Sequence, residues 1–177
     1  MKKNIFLTFI IITIALLFVF IIFIHSPDIK PGISPDVHSP EVKPVIVIHE
    51  TDDKSYKILQ AEQGFDELSK ECMDILCSID DQYKLAMTYD ELNAMKRGNR
   101  YIEIAFPDSV NITTKVNTDG GYRAIRMKEA TFMLSGEYYG HIFTHEKNAR
   151  WVGVWSSECD LNKLNEIVGS FIQEGEE

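Results

Sequence analysis

Twenty consecutive residues, Ile5 to Ile24, carry 18 apolar side chains and are interrupted only by Thr8 and Thr13. At about 1.5 Å of rise per residue such a run makes a helix of about 30 Å, which matches the hydrocarbon thickness of a bilayer. The segment therefore predicts one membrane-spanning helix, with the lipid bilayer as its partner through residues 5–24. Lys2 and Lys3 precede the run and the next basic residue is Lys30. That bias places the N-terminus in the cytoplasm and the rest of the chain outside, at the cell membrane. A cleaved signal peptide also starts with a short basic region, but its apolar core usually spans about 7–15 residues and ends at a small-x-small site. Here the run is longer, no such site follows it, and Pro27 comes directly after Ser26. The expectation is an uncleaved signal-anchor over residues 1–24.

Residues 25–44 read HSPDIKPGISPDVHSPEVKP and hold five of the six prolines. Proline fixes φ and lacks an N–H, so this stretch favours an extended, polyproline-like chain over helix or sheet. A degenerate repeat runs through it, beginning at Ser26, Ser34 and Ser39. At about 3.1 Å per residue, a fully extended stalk of this length reaches about 60 Å from the membrane.

Residues 45–177 are left to fold. They contain 14 Lys or Arg against 24 Asp or Glu, a balance that repels nucleic acid and anionic headgroups and excludes a nucleic-acid partner. VIVIHE (45–50) and SYKILQ (55–60) read as a strand pair around a turn. Ala61, Phe65, Leu68, Cys72, Ile75, Leu76 and Ile79 recur at spacings of three and four, the stripe of an amphipathic helix. Thr88 to Glu91 matches a capping box, and Gly98 is placed to end the short helix it opens. Beyond residue 100, aromatic and β-branched runs at 101–106, 110–116, 122–127, 139–145 and 150–156 are separated by turns, one of them at Pro107-Asp108-Ser109. Connections that short favour antiparallel neighbours. A last helix buries Leu161, Leu164, Ile167, Val168, Phe171 and Ile172 behind an Asp160 cap. The fold class is α+β: a two-layer sandwich of an antiparallel meander sheet packed by two amphipathic helices.

Alternation along the strands sorts the meander into two faces. One holds Ile102, Ile104, Phe106, Ile125, Met127, Ile142, Val152 and Val154, and is expected to meet the helices. The other gathers Tyr101, Glu103, Tyr122, Arg126, Tyr139, His141, Phe143, His145, Trp151 and Trp155. Aromatics with polar tips suit a binding surface; a covering element would make the same rings core. Tyr101, Tyr122, Arg126, Tyr139, His141, Trp151 and Trp155 are the candidate binding residues, with an envelope protein or a glycan as the partner.

No metalloprotease, P-loop, dinucleotide or nucleophile-elbow motif occurs, so no cofactor is expected. His141 and His145 stand four apart in a strand, about 13 Å, too far to share one metal ion. Among the three cysteines, Cys72 falls on the apolar helix stripe; Cys77 with Cys159 is the feasible disulfide, and free thiols are the other, preferred reading. Asn111-Ile112-Thr113 is a glycosylation sequon on the outer side of the membrane. These features describe a membrane-anchored extracytoplasmic binding or interaction module. The alternatives are an envelope-acting hydrolase using Glu103, His141 and Arg126, and a structural subunit of a membrane complex assembled through its anchor.

Overall fold

The computed structural model describes residues 44–52, 54–118 and 121–174. The anchor expected at 5–24 and most of the stalk expected at 25–44 lie outside them, and among the described residues no helix is long and apolar enough to cross a membrane.

The domain is mixed α+β, with three helices and an eight-stranded antiparallel sheet among the described residues. Strands β1 (Val45–His49) and β2 (Ser55–Ile58) form the expected hairpin, followed by helix α1 (Phe65–Cys77). Two short strands, β3 (Ile79–Gln82) and β4 (Met87–Thr88), lead into α2 (Tyr89–Lys96). The long hairpin β5 (Tyr101–Thr118) and β6 (Gly121–Met133) is followed by β7 (Ile142–His145), β8 (Trp151–Ser157) and α3 (Asn162–Glu174). Along the sheet the order is β2-β1-β5-β6-β7-β8-β3. The outer edge of β8 is shared, β3 pairing with Trp155–Ser157 and β4 with Trp151 and Val152.

Alternation sends one row of side chains from each strand to the same side. Ile48, Ile102, Phe132, Ile142 and Trp155 face one another across five strands, and all are buried in one cluster with Phe65, Leu68, Cys72 and Ile75 of α1 and Leu164 and Val168 of α3. The opposite face carries a smaller cluster of Met87, Met133, Phe143, Val152 and Val154, closed by Leu92 of α2. Helices therefore cover both faces, and the arrangement has three layers where the sequence predicts two.

The capping box forms as read: the Glu91 N–H donates to Thr88 Oγ1 at 3.3 Å, and the Thr88 N–H donates to the Glu91 carboxylate at 2.7 Å. Other expectations shift. Ala61 lies in a turn before α1, and Gly64, with φ 83°, sets the start of that helix; a Cβ there would sit 2.8 Å from the Phe171 ring. Ile79 belongs to β3 because Ser78 ends the helix, its N–H donating to the carbonyls of Asp74 and Ile75. Pro107 to Ser109 do not break the chain into two strands. They are absorbed into β5 as an irregularity between Ala105 and Val110, where four residues of β5 face Lys128 alone. The register of β7 and β8 sets Ile142 against Trp155 and Phe143 against Val154, so Val152 and Val154 lie under α2 and Trp155 points to the main core. In a strand reading WVGVW both parities are apolar, and only the pairing decides which one faces the larger helices.

Candidate functional site

The seven candidate binding residues do not share one surface. Tyr101 is half-buried beneath α2, Tyr122 is exposed near the turn of the long hairpin, and Tyr139 lies in the turn before β7, its hydroxyl 2.8 Å from Asn162 Oδ1. His141 stacks on Tyr83 at 4.5 Å between ring centres and meets Tyr138 edge-on. Trp155 is 3% exposed and belongs to the core, whereas Trp151 is 54% exposed. Three of the seven, Arg126, Trp151 and Trp155, are brought together in a groove of about 310 Å³ with Gln82, Arg123, Thr144 and Glu146.

This groove follows from the strand pairing. Gly153 stands opposite Thr144, and Trp155 follows two residues later on the same face. With no side chain at Gly153, the indole folds back over the strand, and its Nε1–H donates to Thr144 Oγ1 at 2.8 Å. A Cβ at position 153 would come within 2.5 Å of that nitrogen. The Arg123 guanidinium covers the Trp155 ring at 5.2 Å and donates to Gln82 Oε1 at 2.8 Å. Arg126 pairs with Glu146 at 3.1 Å, and Glu146 accepts from the Ser109 hydroxyl at 2.6 Å. On the rim, Trp151 offers an open ring, with the Arg150 guanidinium 5.2 Å from its centre. The result is a flat aromatic rim beside two guanidinium groups and one carboxylate, held by hydrogen bonds to neighbouring strands. Planar rings give apolar area at low entropic cost, and the guanidinium forks give directed donors.

A second polar cluster sits where α2 meets the sheet, beside a cleft of about 320 Å³ lined by His49, Tyr89, Asn93, Lys96, Tyr101 and Glu103. Lys96 is buried, donates to the Glu103 carboxylate and lies 3.9 Å from Glu129. Its ammonium is flanked by the rings of Tyr89 and Tyr101 at 5.8 and 5.5 Å. His49 meets Glu103 at 3.1 Å and stacks on Tyr101 at 4.3 Å, while His145 stacks on Tyr89. The Tyr89 hydroxyl donates to Glu129 at 3.2 Å. Burial, reinforced by the nearby Glu129 carboxylate, pushes the Tyr89 phenol up to about 12. Each ion in the cluster has a counter-ion inside it, so its chemistry is that of an anchor joining α2 to the sheet.

Glu103, His141 and Arg126, the polar trio of the hydrolase alternative, have separate partners: Lys96 with His49, Tyr83 with Tyr138, and Glu146. Among the described residues, no three His, Cys, Asp or Glu are grouped to hold a metal ion. Cys72, Cys77 and Cys159 are free thiols, the first buried beside Leu68 and Ile75. Asn111 is exposed on β5, opposite Arg126. The sequence reading misses Arg123, Gln82 and Glu146; alternation along the strand sets Arg123 and Arg126 on opposite faces, so it gives no signal that the two line one groove.

No protein-family model, curated protein or solved structure matches the chain.

Proposed function

We propose that the protein is a single-pass, membrane-anchored binding module whose extracytoplasmic domain captures an envelope protein or glycan in the groove between Trp151 and Arg126. The observation that carries this reading is the exposed Trp151 ring beside a preorganised Arg123–Arg126–Glu146 set, in a domain whose other tryptophan is buried. An exposed aromatic ring with adjacent guanidinium groups suits stacking on a sugar ring or packing against a peptide side chain. The apolar run, the basic start and the Pro-rich spacer support display of the domain at a distance from the bilayer.

The test compares the wild-type chain with the Trp151→Ala/Arg126→Ala variant for binding to isolated envelope material, with glycan and protein fractions presented separately. Both residues are exposed, so the melting temperature stays within about 2 °C, while binding falls about tenfold or more. Equal binding by the two chains removes the groove from the account. Protease accessibility of the C-terminal domain in intact cells tests the orientation independently, and a protected domain overturns it.

A further inference from the structure

Three observations converge on the junction between the end of α1 and the start of α3. Ile79 and Ser157 are directly paired in the β3–β8 register. One step outward, the Glu158 N–H donates to the Ser78 carbonyl at 3.2 Å. Cys77, the last residue of α1, directly precedes Ser78, and Cys159 directly follows Glu158, so each cysteine adjoins one end of that bond. A second tether runs alongside: the Ser157 hydroxyl donates to the Ile75 carbonyl at 3.3 Å and accepts from the Cys159 N–H at 3.1 Å. One side chain thus joins the last turn of α1 to the backbone of Cys159. The Ser78–Glu158 hydrogen bond and the Ser157 tether hold the backbone beside both cysteines together, and a disulfide needs the two Cα atoms within about 4.4–6.8 Å. Both thiols are half-buried and pack against the main core, whereas Cys72 is buried within it.

We propose that Cys77 and Cys159 are a disulfide-forming pair that clamps the end of α1 to the segment leading into α3. The oxidant is a low-molecular-weight disulfide such as oxidised glutathione. One cysteine thiolate attacks it, forms a mixed disulfide and releases one glutathione thiol. The other cysteine thiolate then attacks the protein-side sulfur, which forms the Cys77–Cys159 bond and releases the second glutathione. Two protein thiols are oxidised, one disulfide is reduced, and the two protons leave on glutathione. The bridge closes a loop on the order of 80 residues and staples together the two helices that cover the main core, so it restricts the unfolded chain strongly. Formation in the cell rests on the extracytoplasmic reading above; the geometry of the pair does not.

The experiment incubates the full chain in detergent micelles with oxidised glutathione at mildly alkaline pH, because burial and the Asp74 carboxylate push the Cys77 thiol up. Alkylation under denaturing conditions and mass spectrometry follow. The expected result is an intact mass lower by about 2 Da before alkylation, one remaining alkylatable thiol at Cys72, and a peptide linking Cys77 to Cys159. The oxidised form melts about 10 °C higher. Cys77→Ser and Cys159→Ser abolish the link, and Cys72→Ala retains it. Three alkylatable thiols, a persistent glutathione adduct at Cys77 or Cys159, or a bridge that includes Cys72 overturns the proposal. Thiol trapping in intact cells separates the two readings: a pair that bridges in micelles yet is found reduced in cells counts against the extracytoplasmic placement and leaves the pair standing.

Discussion

The two faces of this sheet are built from the same strands and obey different physics. Beneath α1 and α3 lies a dry aliphatic and aromatic cluster in which Ile48, Ile102, Phe132 and Ile142 meet across neighbouring strands. Beneath α2 the apolar cluster is smaller and adjoins an ionic one, in which Lys96 draws Glu103 and Glu129 together between two tyrosines. The difference follows from helix size. Two 13-residue helices bring enough apolar stripe to cover one face, whereas the eight residues of α2 bury only Leu92 and Lys96. A helix that short is marginal on propensity alone, and its capping box and charged anchor offset what its apolar face lacks.

The largest expected effect compares one phenylalanine from each face. Phe132 and Phe143 are both fully buried. Phe132→Ala costs about 4 kcal/mol, since its neighbours in the main cluster are β-branched residues on paired strands that cannot collapse into the space. Phe143→Ala costs about 3 kcal/mol, because Met87 and Met133 can bend into the void and the Tyr138 ring packs against it only in part. Denaturant unfolding of the two variants checks the order, and a larger loss at Phe143 would break the contrast.

Next in size is the anchor. Lys96→Met leaves Glu103 and Glu129 facing each other without their cation, and costs about 3 kcal/mol. The double variant Lys96→Met/Glu103→Gln recovers most of that loss, since the charge left behind, rather than a missing contact, is the source of the cost. If the double variant is no more stable than the single one, packing by the lysine stem holds α2 and the ionic account fails. The cap is worth less: Thr88→Ala removes the acceptor for the Glu91 N–H and lowers stability by about 1 kcal/mol. This loss should concentrate in α2, visible as faster amide exchange there than in α1.

Local signals in the sequence announce most of the elements. The β1–β2 hairpin, the α1 stripe, the Thr88 box and the final helix each depend on residues a few positions apart, where alternation, capping and helical spacing act directly. What pairing decides at long range is harder to read. Strand β3 has the sequence IDDQ, without apolar alternation, and exists because the edge of β8 offers it hydrogen-bonding partners. Ile79 extends the helical stripe by three residues from Leu76, so the pattern overruns the true end of α1 at Ser78. The groove shows the same limit. Trp151 and Trp155 look equivalent in a strand that is apolar at both parities, and what distinguishes them is a gap at Gly153, a hydroxyl on β7 and a guanidinium from β6. None of those partners is within seven residues of Trp155 except Gly153, so periodicity could select the aromatic residues but not which ring stays open.

The last expected effect lies in alkaline pH and reads both faces in one titration. Burial, with Glu71 nearby, pushes the Cys72 thiol beneath α1 far above its ordinary 9.0, and burial with Glu129 pushes the Tyr89 phenol on the α2 side from 10.0 up to about 12. Each group holds its proton more tightly folded than unfolded, so each contributes stability that is complete below its unfolded value and is lost as pH rises towards its folded one. The Cys72 contribution, and that of Cys77, whose thiol burial and Asp74 also push up, begin to fall above about pH 9, and that of Tyr89 declines between about 10 and 12. Lys115 and Lys163, raised by their bonds to Glu158 and Glu71, add a decline of the same sign that starts near their unfolded value of about 10.5. Melting temperatures taken from pH 8 to 11.5 should therefore fall in two stages. Cys72→Ala reduces the stage that begins near pH 9 to the part carried by Cys77, and Tyr89→Phe flattens only the later one. A Tyr89→Phe chain with an unchanged alkaline profile would show that the phenol is as well solvated in the folded protein as in the unfolded one, and that the α2 face is wetter than its packing implies.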